Sequence, residues 1–168
     1  MSSASIRPAY GKWPAFNETL RDAVALLTAE QLALKPSPTR WPLWATIGHL
    51  ACQRVSGLCG LGGEPGAADT PFPNALFECP GDEDLEHVLG PADLVHALDS
   101  TFAVIDRCLD TWTFESLDEV IERSFGADVW RSTRGALLQR TFAHDVWHMA
   151  ELNEAFTAAG LPPLQPWD

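Results

Sequence analysis

The stretch His144-Asp145-Val146-Trp147-His148-Met149-Ala150-Glu151 sets two histidines one helical turn apart inside a long apolar-periodic run. At about 100° per residue, His144, His148 and Glu151 fall within about 60° of one another on one helix face. Two imidazoles at i and i+4 can converge on one metal ion, the spacing that helical zinc sites of the H-E-x-x-H kind use. The pair alone is a weak motif, because a helix histidine also serves as a hydrogen-bonded core residue. A third ligand from elsewhere in the chain would decide between the two. Asp145 points into the apolar stripe of Leu137, Leu138, Met149, Leu152 and Phe156, about 100° from His144. A carboxylate there needs a partner. It either orients a histidine or a catalytic water, or it bonds to a tryptophan or an arginine with no chemistry involved. Phe142, Val146 and Ala150 take the opposite face, where apolar side chains favour a subunit contact. The helix that carries all of this runs over about 133–159 and stops at Gly160, with Pro162-Pro163 beyond.

Working outward, the same periodicity predicts three further helices. Phe16, Leu20, Ala23, Val24 and Leu27 keep helical spacing over 13–29, with Pro14 tolerated in the first turn. Trp41-Pro42 opens a second helix over 43–61, ended by Gly62-Gly63. His49 sits in its middle among Thr46, Gln53, Ser56 and Gly57. Small neighbours leave room for an ion or a substrate, yet in isolation this histidine reads rather as a core residue bonded to Gln53 or to a neighbouring helix. Pro91 leads into a third helix over 92–112, with Leu94, Val95, Leu98, Phe102, Ile105 and Leu109 at intervals of three and four. His87 and His96 read as surface or cap residues. Before the last helix the period changes to two: 119–125, a Gly126-Ala127 turn and 128–132 read as a short β-hairpin.

Residues 62–90 form a long crossover between the second and third helices, and a connection of that length is usually functional or partly structured. Phe72, Phe77, Leu85 and Val88 suggest that it packs down, as a lid or a dimer contact, while Asp82-Glu83-Asp84 and Glu86 make an acidic, solvated tip. Residues 1–12 read as a loose lead-in. The expected fold is therefore all-α: one domain over 1–168, a four-helix bundle with a long crossover and a small hairpin before the last helix.

The chain has 168 residues, enough to bury a core in one domain, and 46% of them are hydrophobic against 20% charged. Its formal charge of −12, from 23 acidic and 11 basic residues, would repel phosphate backbones and anionic membrane surfaces. Nucleic acid and membrane are thereby disfavoured as partners. No run approaches the ~18 apolar residues that span a bilayer, and the first residues lack the apolar segment of a secretory signal. Cys52, Cys59, Cys79 and Cys108 show no CxxC spacing and read as reduced, mostly buried thiols of a cytoplasmic protein. Cys52, one turn from His49, is an outside candidate for a fourth metal ligand.

The segments Leu26-Leu27-Thr28-Ala29-Glu30-Gln31-Leu32, Trp41…Ile47-Gly48-His49-Leu50, Thr133-Arg134-Gly135-Ala136-Leu137-Leu138 and His144-Asp145-x-x-His148-x-x-Glu151 together make the chain resemble the DinB-like superfamily. The likeness covers about residues 13–165. It implies a four-helix bundle, commonly dimeric, with a divalent ion held by three histidines, here His49, His144 and His148 by motif position. Members of known activity include enzymes that use low-molecular-weight thiols as cosubstrates in transfer or isomerisation reactions. This chain departs from several subgroups in carrying Met149-Ala150-Glu151-Leu152 where they have a His-Arg-Gly-Gln-like run. A site of three neutral imidazoles keeps open positions, as catalytic sites do, and suits zinc or nickel. The expectation is a metal-dependent enzyme acting on a small molecule, a transferase or hydrolase in which the ion activates a water or a thiol. Glu151 and Asp145 are its candidate catalytic carboxylates. The competing expectation is a non-catalytic, stress-related metal-binding or dimeric scaffold protein.

Overall fold

The computed structural model describes residues 4–80 and 85–166. It is mostly helical, with one two-stranded antiparallel sheet. The helix predicted over 13–29 is split into α1 (Trp13–Ala25) and the single turn α2 (Ala29–Leu32). The break has a local cause. Thr28 takes an extended backbone and caps the second piece, its Oγ1 accepting from the Gln31 N–H at 3.1 Å while Gln31 Oε1 accepts from the Thr28 N–H at 2.8 Å. Two orphan donors are satisfied at once, which makes 28 a better start than an interior position.

Helix α3 (Leu43–Val55) starts after Pro42, and its buried run includes Ile47, Leu50, Ala51 and Val55. The predicted continuation to residue 61 keeps its course but widens into a π-helix over Ser56–Leu61. The last helix packs closely on that wider turn: a Cβ on Gly57 would stand 3.2 Å from Thr141 Oγ1, so only glycine admits this approach without a shift. Helix α4 (Pro91–Thr111) has proline in its first turn, and Asp93 accepts from the Gly90 N–H at 3.1 Å. Strands β1 (Val120–Phe125) and β2 (Asp128–Thr133) pair antiparallel with Phe125 opposite Asp128 and Val120 opposite Thr133, so the predicted hairpin is present. Helix α5 (Arg134–Ala158) follows at once, capped by Thr133 Oγ1 on the Ala136 N–H at 3.1 Å.

Helix α4 packs on both α1 and α3, and α5 packs on α3 and more lightly on α1. The apolar stripes of the four long helices meet in two adjoining clusters. One gathers Leu20, Leu43, Ile47, Leu50, Leu94, Leu98, Leu152 and Phe156. The other gathers Trp13, Leu58, Ile105, Leu109 and Leu138. Each such side chain taken fully out of water contributes about 1.5–3 kcal/mol before the entropy of ordering is set against it.

Several expectations are corrected here. The lead-in is not loose from residue 5 onward. Ile6 is fully buried, its N–H bonds the Trp112 carbonyl at 3.0 Å, and residues Arg7–Tyr10 form a 3-10 turn. Phe142 is not free for a subunit contact, because Tyr10, Trp13 and Phe16 pack their rings against it. Cys52 and Cys79 are not thiols but a disulfide joining α3 to the crossover, so Cys52 offers no ligand and the thiol argument for a cytoplasmic compartment falls. Cys59 and Cys108 are the free cysteines, and burial first of all pushes them up to about 11 and about 12. In the crossover Phe72, Ala75 and Cys79 are buried, whereas Phe77, Leu85 and Val88 stay exposed. Asp82-Glu83-Asp84, the rest of the expected acidic tip, lies outside the described residues. Among the described residues no helix is long and apolar enough to cross a membrane.

Candidate metal centre

Three imidazoles converge between α3 and α5. His144 Nε2 stands 3.2 Å from His49 Nε2 and 3.1 Å from His148 Nε2, and one ligand atom from each lies within 4.8 Å of the others. The helical spacing supplies His144 and His148. The third ring comes from the close packing of α3 on α5. His87 and His96, expected at the surface, are exposed and take no part.

The outer nitrogens tell which lone pairs are available. His49 Nδ1 is 3.2 Å from the Pro80 carbonyl oxygen, which can only accept, so Nδ1 carries the hydrogen and Nε2 the lone pair. His148 Nδ1 donates in the same way to Glu151 Oε2 at 2.8 Å. Two rings thus aim lone pairs inward, and His144 Nε2 can donate to only one of them. At least one of the two short nitrogen–nitrogen contacts therefore has no hydrogen lying between its atoms, a defect that a cation would relieve. Zinc–nitrogen bonds of about 2.0–2.1 Å around a tetrahedral ion put neighbouring nitrogens about 3.4 Å apart, close to what is seen. The donor set and its spacing fit a divalent ion held by His49, His144 and His148.

Electrostatics agree with that fit. Burial, and then the neighbouring His148 and His49 rings, push His144 down to about 3, so it stays neutral and able to ligate at any ordinary pH. For Glu151, burial works upward. It is outweighed by hydrogen bonds from Trp147 and His148 and by the Arg40 guanidinium, and the carboxyl is held below its usual range. Glu151 therefore stays ionised, with Oε2 on His148 and Oε1 accepting from Arg40 Nη1 at 2.9 Å.

Asp145 sits elsewhere. Its oxygens accept from Arg54 Nε at 3.0 and 3.2 Å and from Trp13 Nε1 at 2.7 Å, and Arg54 Nη2 lies 2.9 Å from Oδ2. Of the two roles open to it, the geometry supplies the bond to a tryptophan and an arginine. In the sequence, Arg54 is marked only by its place one turn after Leu50 and Ala51, on a stripe that proves buried. No local pattern in the sequence marks Arg40 or Trp41 as site residues. The Trp41 ring lies 5.1 Å from that of His49, and Arg40 and Trp41 line a cavity of about 450 Å³ that reaches His148 and Glu151. A second cavity of about 250 Å³, with Gln53, Ser56 and Arg140 on its wall, reaches His144 from another side. The first is the size of an ordinary small-molecule site.

A mostly helical chain with three inward-facing imidazoles beside an open cavity is the scaffold of a candidate metal-binding protein. The chain matches the DinB superfamily over residues 15–156 and belongs to that superfamily. Among solved structures it is similar to a DinB-like protein from Bacillus cereus ATCC 10987, at 16% identity and a TM-score of 0.67, with 96% of this chain and 97% of that one covered. That likeness speaks for the fold. No curated protein matches the sequence.

Proposed function

We propose that this protein is a metal-dependent enzyme acting on a small molecule, built on a four-helix bundle (α1, α3, α4 and α5) with a long crossover between the second and third of these helices. The observation that carries the reading is the convergence of three Nε2 atoms, two of them stripped of hydrogen by their outer partners. Zinc or nickel suits the donor set. A divalent ion there would supply Lewis acidity, making a water or a low-molecular-weight thiol nucleophilic at neutral pH.

The chain's own residues do the rest. Glu151, ionised and next to His148, accepts the proton that the nucleophile gives up, and Arg40 keeps that carboxylate turned toward the ring. The substrate occupies the cavity floored by Trp41, Leu43 and Leu152, where apolar surface displaces water from the reacting end. We assign Asp145 to the scaffold, since its oxygens are taken by Arg54 and Trp13. The same reading carries a homodimer paired through α5, where Val146 and Trp147 stand 39% and 68% exposed. Sedimentation velocity reads that assembly directly.

Metal analysis of untreated protein, followed by thiol titration of the cobalt-substituted form, tests the proposal. A stoichiometric ion whose visible spectrum shifts with thiol or substrate analogue is the expected result. Protein that takes up no divalent ion at micromolar concentration overturns it. A finer prediction concerns Glu151→Gln, which keeps the shape and loses the charge behind His148. Metal affinity should fall about tenfold, the lower end of what losing a partner behind a ligand costs. Competition against a chromophoric chelator measures it, and unchanged affinity would remove Glu151 from the site.

A further inference from the structure

The Cys52–Cys79 disulfide lies beside the histidine cluster rather than at a distant edge of the fold. Cys52 is one helical turn from His49 on α3, and Cys79 directly precedes Pro80, whose carbonyl accepts the His49 Nδ1 hydrogen. The bond therefore ties the crossover to α3 at the point where the crossover supplies the outer partner of a ligand. The local surface is shaped for that contact. A Cβ on Gly48 would meet the Pro80 ring at 3.4 Å and Leu89 Cδ1 at 2.9 Å, so glycine beside His49 lets the loop lie down on the helix. The disulfide is buried, with Cys52 at 0% and Cys79 at 7% exposure.

We propose that this disulfide is the device that holds the Pro80 carbonyl on His49, fixing that ring's tautomer and aim, so that its reduction loosens the cluster's grip on a divalent ion. The metal part rests on the function proposed above; the positioning of His49 does not. A small dithiol can reverse the device. Its thiolate attacks the Sγ of Cys79, the less buried of the two residues, and Cys52 leaves as a thiolate that takes up a proton. The reagent's second thiol then attacks the mixed disulfide, releasing the Cys79 thiol and leaving the reagent as its own cyclic disulfide. Two electrons and two protons pass to the protein. With the tie gone, the Pro80 carbonyl is held less firmly on the ring, and the hydrogen exchanges more freely between Nδ1 and Nε2. In the Nε2–H form the ring cannot ligate.

The experiment compares oxidised protein, reduced protein freed of reagent, and the Cys52→Ala/Cys79→Ala variant, each shown to keep its helical circular dichroism. Long-range ¹⁵N–¹H spectra of the metal-free samples read the His49 tautomer, and cobalt titration reads affinity. The expected result is a single Nδ1–H tautomer in the oxidised form, mixed tautomers in the other two, and a cobalt Kd raised about 10- to 100-fold, restored on reoxidation. A disulfide that only stabilises the fold would lower the melting temperature and leave both readouts unchanged, which overturns the proposal. Failure of the oxidised protein to bind cobalt overturns the metal reading instead, and the tautomer comparison still decides what the disulfide does to His49.

Discussion

Alanine at His49, His144 or His148 should abolish stoichiometric binding of a divalent ion at micromolar concentrations while leaving the fold in place. Zinc sites of four ligands gain about 10–16 kcal/mol, or about 3 kcal/mol per ligand, so one lost imidazole costs more than about a hundredfold in affinity. The effect on stability should reverse between the two states of the protein. Without metal the cluster is a liability: inward lone pairs crowd at 3.1–3.2 Å, and burial with two neighbouring rings pushes His144 down to about 3. Removing His144 from the metal-free protein should therefore cost little or even stabilise. With metal at a hundred times its Kd the wild type gains about 2.7 kcal/mol that the variant cannot. Thermal denaturation of both proteins with and without zinc should show the wild type alone shifting upward. Equal shifts would mean that the ion binds somewhere else.

How far the sequence discloses this site depends on how local each signal is. His144, His148 and Glu151 are legible because one helix carries them, and helical geometry alone sets them on one face. His49 is legible only with the family likeness, since nothing within its own helix says which partner it faces. Its pairing with the Pro80 carbonyl and the Cys52–Cys79 bond was out of reach. Both join residues some thirty positions apart, through a crossover whose path no periodicity dictates. The hairpin was legible because its alternation and its Gly126-Ala127 turn are local features. The burial of Phe142 is illegible for the opposite reason. Helical periodicity describes one helix, and the aromatic cover that Tyr10, Trp13 and Phe16 lay over it comes from the other end of the chain.

Asp145 shows how a correct local inference can leave its function open. A carboxylate on an apolar stripe must have a partner, and here it is Arg54, with both side chains 2% exposed. Arg54 also donates from Nη1 to Asn17 Oδ1 at 2.8 Å and lies 5.4 Å over the Phe102 ring, so three helices meet on this one cation. Replacing Asp145 by alanine strands a buried guanidinium, and such losses cost about 3–5 kcal/mol. For a chain of this length that is a fall of roughly 6–20 °C in melting temperature. Replacing the pair together, Arg54→Met with Asp145→Leu, should recover most of the loss, because apolar side chains of similar volume avoid the desolvation of two charges. Metal affinity of the double variant should stay within a few-fold of wild type, since neither side chain bonds a histidine in this structure. Asp145→Asn separates the two roles most sharply: it retains the shape, weakens the hold on Arg54, and should lower stability with kcat following only the folded fraction. A variant that stays stable, binds zinc and yet loses turnover would return Asp145 to the chemistry and remove it from the scaffold.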